Sequence, residues 1–160
     1  MRFSEQHWWL AIVLGVVHAL VFERPVSGGQ SIEERLAAAN SVACVFPVLA
    51  TGTWKNGEPQ AETRTASLKA NFDEIVADEG TARAVGVFGP SDIIVRLSTG
   101  NLHLLQSFKD GPLYVTTIFP KETRGGKLQA VHTRHEYTLI SMPGFTSRPE
   151  QYYGECELRN

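Results

Sequence analysis

Residues 92–108 read DIIVRLSTGNLHLLQSF, and the fold follows from how this stretch divides. Ile93, Val95 and Leu97 stand on one face of an extended chain, with Ile94, Arg96 and Ser98 on the other. After Thr99-Gly100-Asn101 the alternation resumes, and Leu102, Leu104, Gln106 and Phe108 share a face. A helix would gather its apolar residues at spacings of three and four, whereas a period of two is that of a strand. The intervening glycine supplies the positive φ of a tight turn, so the stretch predicts an antiparallel hairpin.

Turn signals recur in both directions at the roughly ten-residue spacing of an all-β chain. They are Lys55-Asn56-Gly57, Ala77-Asp78-Glu79-Gly80, Gly89-Pro90-Ser91, Lys109-Asp110-Gly111 and Arg124-Gly125-Gly126. The runs between them, from ACVFPVLATGTW at Ala43 to YYGECEL at Tyr152, are rich in Val, Ile, Thr and aromatics, as strands are. In 112–119, Leu113, Val115 and Phe119 oppose Tyr114, Thr116 and Ile118. The fold class is therefore all-β: an antiparallel meander forming a closed or nearly closed eight-stranded barrel. No helical pattern of useful length follows Asn40, which argues against parallel βαβ units. The second faces of several strands carry little charge and point to a lined cavity or a packed helix.

The N-terminal part differs. Residues 8–22, WWLAIVLGVVHALVF, form an apolar run with no formal charge between Glu5 and Glu23, preceded by Arg2. This is the order of a secretory signal, and the run is short of the roughly 20 residues a spanning helix needs. Cleavage is expected after Gly28, with Ala19 as a second candidate. The organisation is then a signal peptide over 1–28, a linker and short helix over 29–41, and a single β-domain over 42–160. Ser31-Ile32-Glu33-Glu34 is a capping box, and the helix formers after it predict a helix over 32–39.

Charged residues make up 20% of the chain, hydrophobic ones 42%, and the formal net charge is −2. That is a globular composition without the basic stripe of a nucleic-acid binder, so no nucleic-acid partner is expected. The membrane is met only transiently, through the signal peptide.

The two cysteines, Cys44 and Cys156, stand in the first and last strands. In an exported chain they predict a disulfide, which makes those strands neighbours, as in a closed barrel.

Chemistry-bearing motifs are few. His132 and His135, in AVHTRHEY, are three apart, so on a strand they point to opposite faces. With His103 they are the candidates for a histidine metal site, and a metal needs converging ligands. Ser141, Ser147 and Thr117 lie in no nucleophile elbow, and no HExxH, phosphate-loop or dinucleotide fingerprint occurs. No catalytic residue and no cofactor is assigned. Asp73, Glu74, Asp78 and Glu79 read as a solvated acidic turn, with Ca²⁺ binding the lesser alternative.

Gly52-Thr53-Trp54 resembles the Gly-x-Trp signature of lipocalins, a family of exported eight-stranded barrels. The resemblance implies an interior that takes a small apolar ligand, although a strand-like stretch, Cys44 to Ala50, precedes the tripeptide here. A second reading of Trp54 is a plug at the barrel end. Residues 44–158 are similar to small exported proteins of α-proteobacteria, on the stretches GTWKNGEPQAET, FDEIVADEGTAR, GPLYVTTIFP, LQAVHTRHEY and QYYGECEL. That likeness implies a periplasmic or secreted home and brings no catalytic residue.

The function expected is a non-enzymatic binding module for a small apolar molecule or a protein partner. Its candidate contacts are Trp54, Tyr114, His132, Arg134 and Tyr137, with His132 and Arg134 on one strand face. The rivals are a hydrolytic or metal-assisted enzyme using the histidines, and a structural envelope protein that pairs through an open sheet edge.

Overall fold

The structure is a computed structural model that describes residues 29–87, 89–109, 111–136 and 148–159. The expected signal peptide, Tyr137, Ser141 and Ser147 lie outside these.

Helix α1 (Ile32–Ala37) is followed by β1 (Ser41–Lys55), β2 (Glu58–Val76), β3 (Thr81–Gly86), β4 (Gly89–Ser98), β5 (Asn101–Ser107), β6 (Leu113–Glu122), β7 (Leu128–His135) and β8 (Glu150–Arg159). Every strand pairs antiparallel with the next, and β8 returns to β1, so the meander closes into a barrel. The eight strands are those that alternation and turn spacing predict. The hairpin at its centre turns on Thr99 and Gly100, with φ of 49° and 77°, and Ser98 pairs with Asn101 across it.

The ring closes at one seam. Cys44 stands directly opposite Cys156 in the β1–β8 register, both buried, and they form a disulfide spanning 112 positions of sequence. A formed disulfide suggests an oxidising, non-cytoplasmic compartment. Beside it β1 bulges, between Phe46 and Val48 against β2 and between Val45 and Val48 against β8. Pro47, which has no N–H for the ladder, stands in that bulge. Gly154 of β8 passes so close that an added Cβ would lie 2.0 Å from the Val45 carbonyl oxygen and 2.7 Å from Phe46 Cα. Only a glycine lets the two backbones approach this closely.

One end of the barrel is packed solid. Val42, Cys44, Val95, Leu102, Ile118, Leu128 and Cys156 are almost wholly buried there. Helix α1 caps this end and inserts Leu36, which is fully buried, with Ala39 beside it. The capping box forms: Ser31 Oγ accepts from the Glu34 N–H, and Glu34 accepts from the Ser31 N–H. The helix stops at Ala37, two residues short of the expected span, with Ala38 as its C-cap. Arg35 pairs with Glu122 at 3.5 Å, and the Glu33 chain lies against Gly100, which ties the helix to two strand ends.

The opposite end is where the β1–β2, β3–β4 and β5–β6 turns lie. Here β2 pairs with β3 only from Asn71 onward, and its residues 58–70 pair with β1 alone. Beyond Thr51, where β8 ends its pairing with β1, the two long strands run on as a two-stranded ribbon.

Candidate functional site

Inward-facing positions of three neighbouring strands change character toward the open end. On β7 the inward sequence is Leu128, Ala130, His132, Arg134, and on β6 it is Ile118, Thr116, Tyr114. On β8 the inward sequence is Cys156, Gly154, Tyr152, Glu150, and these stand opposite Leu128, Ala130, His132 and Arg134 in turn. The register thus stacks a polar, aromatic layer on top of an apolar one.

His132 is the centre of that layer and is 6% exposed. Its ring lies 5.7 Å from Phe46, 5.9 Å from Tyr114 and 6.0 Å from Tyr152, centroid to centroid. Arg134 Nε donates to Nε2 at 3.3 Å, and Nδ1 lies 2.8 Å from Thr116 Oγ1. Because a guanidinium only donates, Nε2 is the acceptor and Nδ1 carries the proton, which it gives to Thr116. Burial, reinforced by the charge of Arg134, pulls the imidazole down to about 4, so it is neutral near pH 7.

The Arg134 guanidinium lies over two phenol rings, 5.0 Å from the centroid of Tyr114 and 5.4 Å from that of Tyr152. Such stacking suits its flat, weakly hydrated cation. Each phenol hydroxyl donates to its own carboxylate: Tyr114 to Glu136 at 3.1 Å, Tyr152 to Glu150 at 2.5 Å. Burial first, then the nearby carboxylates, push both phenols up to about 12, so both stay protonated donors. Arg134 uses Nε on His132. Its Nη1 and Nη2 have no hydrogen-bond or ion-pair partner among the described residues.

A cavity of about 340 Å³ opens beside this layer, on the side where β2 leaves β3. Its apolar wall is Leu68, Ala70, Phe72, Ala84 and Phe108. Its polar wall is Ser91, Gln106, Tyr114, His132 and Arg134, with Gln106 donating to Ser91 at 3.1 Å.

Of the five expected contacts, the fold brings Tyr114, His132 and Arg134 together in one wall. Trp54 is not there. It is 64% exposed, near the tip of the β1–β2 ribbon opposite Pro59, and it does not plug the barrel end. The expectation failed because β1 runs past the last β8 partner, and a strand reaching beyond its sheet has no interior to fill. Tyr137 lies outside the described residues. Tyr152, Glu150, Glu136, Thr116 and Gln106 complete the site without having been singled out from sequence. Parity offered a signal for two of them: counting back by twos from Cys156, which faces inward, reaches Tyr152 and Glu150.

The three histidines do not converge. His132 is inside, whereas His103 is on the outer wall of β5, 3.0 Å from Thr117, and His135 is an exposed outer residue of β7. Among the described residues no group of three or more His, Cys, Asp or Glu could hold a metal ion. In the acidic turn, Asp73 and Glu74 are taken up by Arg83, Asp73 at 3.4 Å.

No family model matches the chain, and no curated protein or solved structure does either.

Proposed function

We propose that this is an exported binding barrel which holds a small, largely apolar molecule in the cavity at its open end, without chemistry on it. The observation that carries the reading is the split between the two ends. One is filled by the disulfide, aliphatic side chains and a capping helix, and the other keeps about 340 Å³ bounded by an apolar wall and a few fixed polar groups. That volume lies at the lower end of small-molecule sites, which combine apolar walls with a few placed polar atoms. The likeness to exported α-proteobacterial proteins points the same way. Residues 1–28 then serve as the export signal, and the periplasm or the exterior is the working compartment.

Native mass spectrometry of the protein purified from its host tests the reading, together with titration of a neutral fluorescent apolar probe. The expected result is a bound small molecule, and a saturable site that Ala84→Phe closes while the fold persists. Empty protein with no saturable probe binding overturns the reading. N-terminal sequencing of the exported protein is expected to begin at Gly29.

A second reading has one observation in its favour. Residues 58–70 of β2 have no strand partner on their β3 side among the described residues, and such an edge accepts an added strand. Glu58, Glu62, Arg64 and Lys69 along it work against indiscriminate pairing. Concentration-dependent self-association that Thr65→Pro abolishes would favour this structural role.

A further inference from the structure

The binding reading leaves open what the Arg134 side chain is for, and the inference drawn here rests on that reading. An arginine placed in an apolar cavity costs free energy unless its donors are met. His132 meets one, and the two tyrosine faces cover the plane. The outer edge of the fork, Nη1 and Nη2, is left without a protein partner among the described residues. Two carboxylates are close, yet each is turned to a phenol hydroxyl and neither forms an ion pair with Arg134. The fork is held through Nε and by two phenol rings, while Nη1 and Nη2 keep their donors unused among the described residues.

We propose that Arg134 anchors a small monocarboxylic acid, whose carboxylate accepts from Nη1 and Nη2 and whose apolar body lies on Leu68, Phe72 and Ala84.

Three features select this class. A planar fork pairs bidentately with a carboxylate, two N–H donors to two oxygens. Arg134 is the one cation beside His132, which is neutral; the other cation that lines the cavity, Lys69, stands on the β2 side and is exposed. Glu136 and Glu150 accept from the phenols beside Arg134, and although Arg64 pairs with Glu150 at 3.9 Å, the second negative charge of a phosphate monoester finds no further cation at the guanidinium and meets the Glu136 carboxylate. The remaining space limits the body. At the roughly 30 Å³ that each water-sized group occupies, about 340 Å³ takes about eleven non-hydrogen groups. An eight-carbon acid fills it.

Isothermal titration calorimetry at pH 7 with octanoate, octanamide and octyl phosphate decides the matter. Octanoate is expected to bind at least tenfold more tightly than the other two. Arg134→Gln is expected to erase the preference for the acid over the amide, and Arg134→Lys to keep part of it as a point charge. The comparison among the three probes on the unaltered protein needs no variant to fold. Equal affinity for acid and amide, tighter binding of the phosphate, or a preference that survives Arg134→Gln overturns the proposal and leaves the binding barrel standing. If none of the three probes binds and the neutral dye also fails, both fall together.

Discussion

His132 joins the packed and open halves of the barrel, and its charge state is a property of the fold. In the unfolded chain an imidazole titrates near 6.5, and in the folded barrel His132 does so at about 4. Between those values the unfolded chain takes up a proton that the folded one refuses. The stability held by neutral His132 is therefore intact above about pH 6.5 and is lost progressively as pH falls toward 4, with about 2 kcal/mol gone at pH 5. Urea unfolding at pH 7 and pH 5 measures this. His132→Asn is expected to be less stable at pH 7, because Thr116 loses its partner, and to show a smaller drop between the two pH values. Equal drops in both proteins would mean that the imidazole is not the titrating group. Part of this site was legible in sequence. Parity alone places His132 and Arg134 on one face and His135 on the other. Tyr114 came from its amphipathic character, but its partner Glu136 did not, because a hydrogen bond between the ends of two neighbouring strands has no local sequence pattern.

At the scale of elements, α1 does more than join the N-terminal segment to the sheet. Six residues are too few to form a stable helix alone, so its order comes from the cap and from burial against the strands. Ser31→Ala removes the accepting hydroxyl and is expected to cost about 1 kcal/mol. Leu36→Ala removes the fully buried plug and is expected to cost about 2–5 kcal/mol. Both are read from denaturant midpoints. A Leu36→Ala cost no larger than that of Ser31→Ala would mean that the helix merely rests on the barrel. Amide exchange should place the change at the ends of β5 and β6. The strands themselves were readable because a closed barrel wall makes inward and outward positions alternate. Strand lengths were not, since β1 and β2 continue as a ribbon that obeys the same local pattern as the barrel wall. That continuation is why Trp54 ends in solvent.

At the scale of the whole molecule, closure depends on β8 reaching β1, the contact between the two most distant strands of the sequence. An antiparallel meander builds seven of its eight pairings from neighbours in the chain, and each hairpin forms with little loss of loop entropy. The eighth must close a loop of on the order of 100 residues, which the Cys44–Cys156 bond does in advance, worth up to about 4.7 kcal/mol in the chain-entropy model. The bond sits next to the β1 bulge, where Gly154 must pass within contact of the Val45–Phe46 backbone, so the seam is also where the ladder is least regular. Replacing both cysteines by alanine is therefore expected to cost about 2–5 kcal/mol in urea. The loss should also be local: amide protection should fall first in β8 and the early part of β1, while the β4–β5–β6 meander keeps its own. Because Tyr152, whose ring lies under the Arg134 guanidinium, is carried by β8, octanoate affinity should fall along with that protection. Uniform loss of protection around the ring would instead mean that the barrel opens as one cooperative unit, with the disulfide stabilising the whole and not the seam.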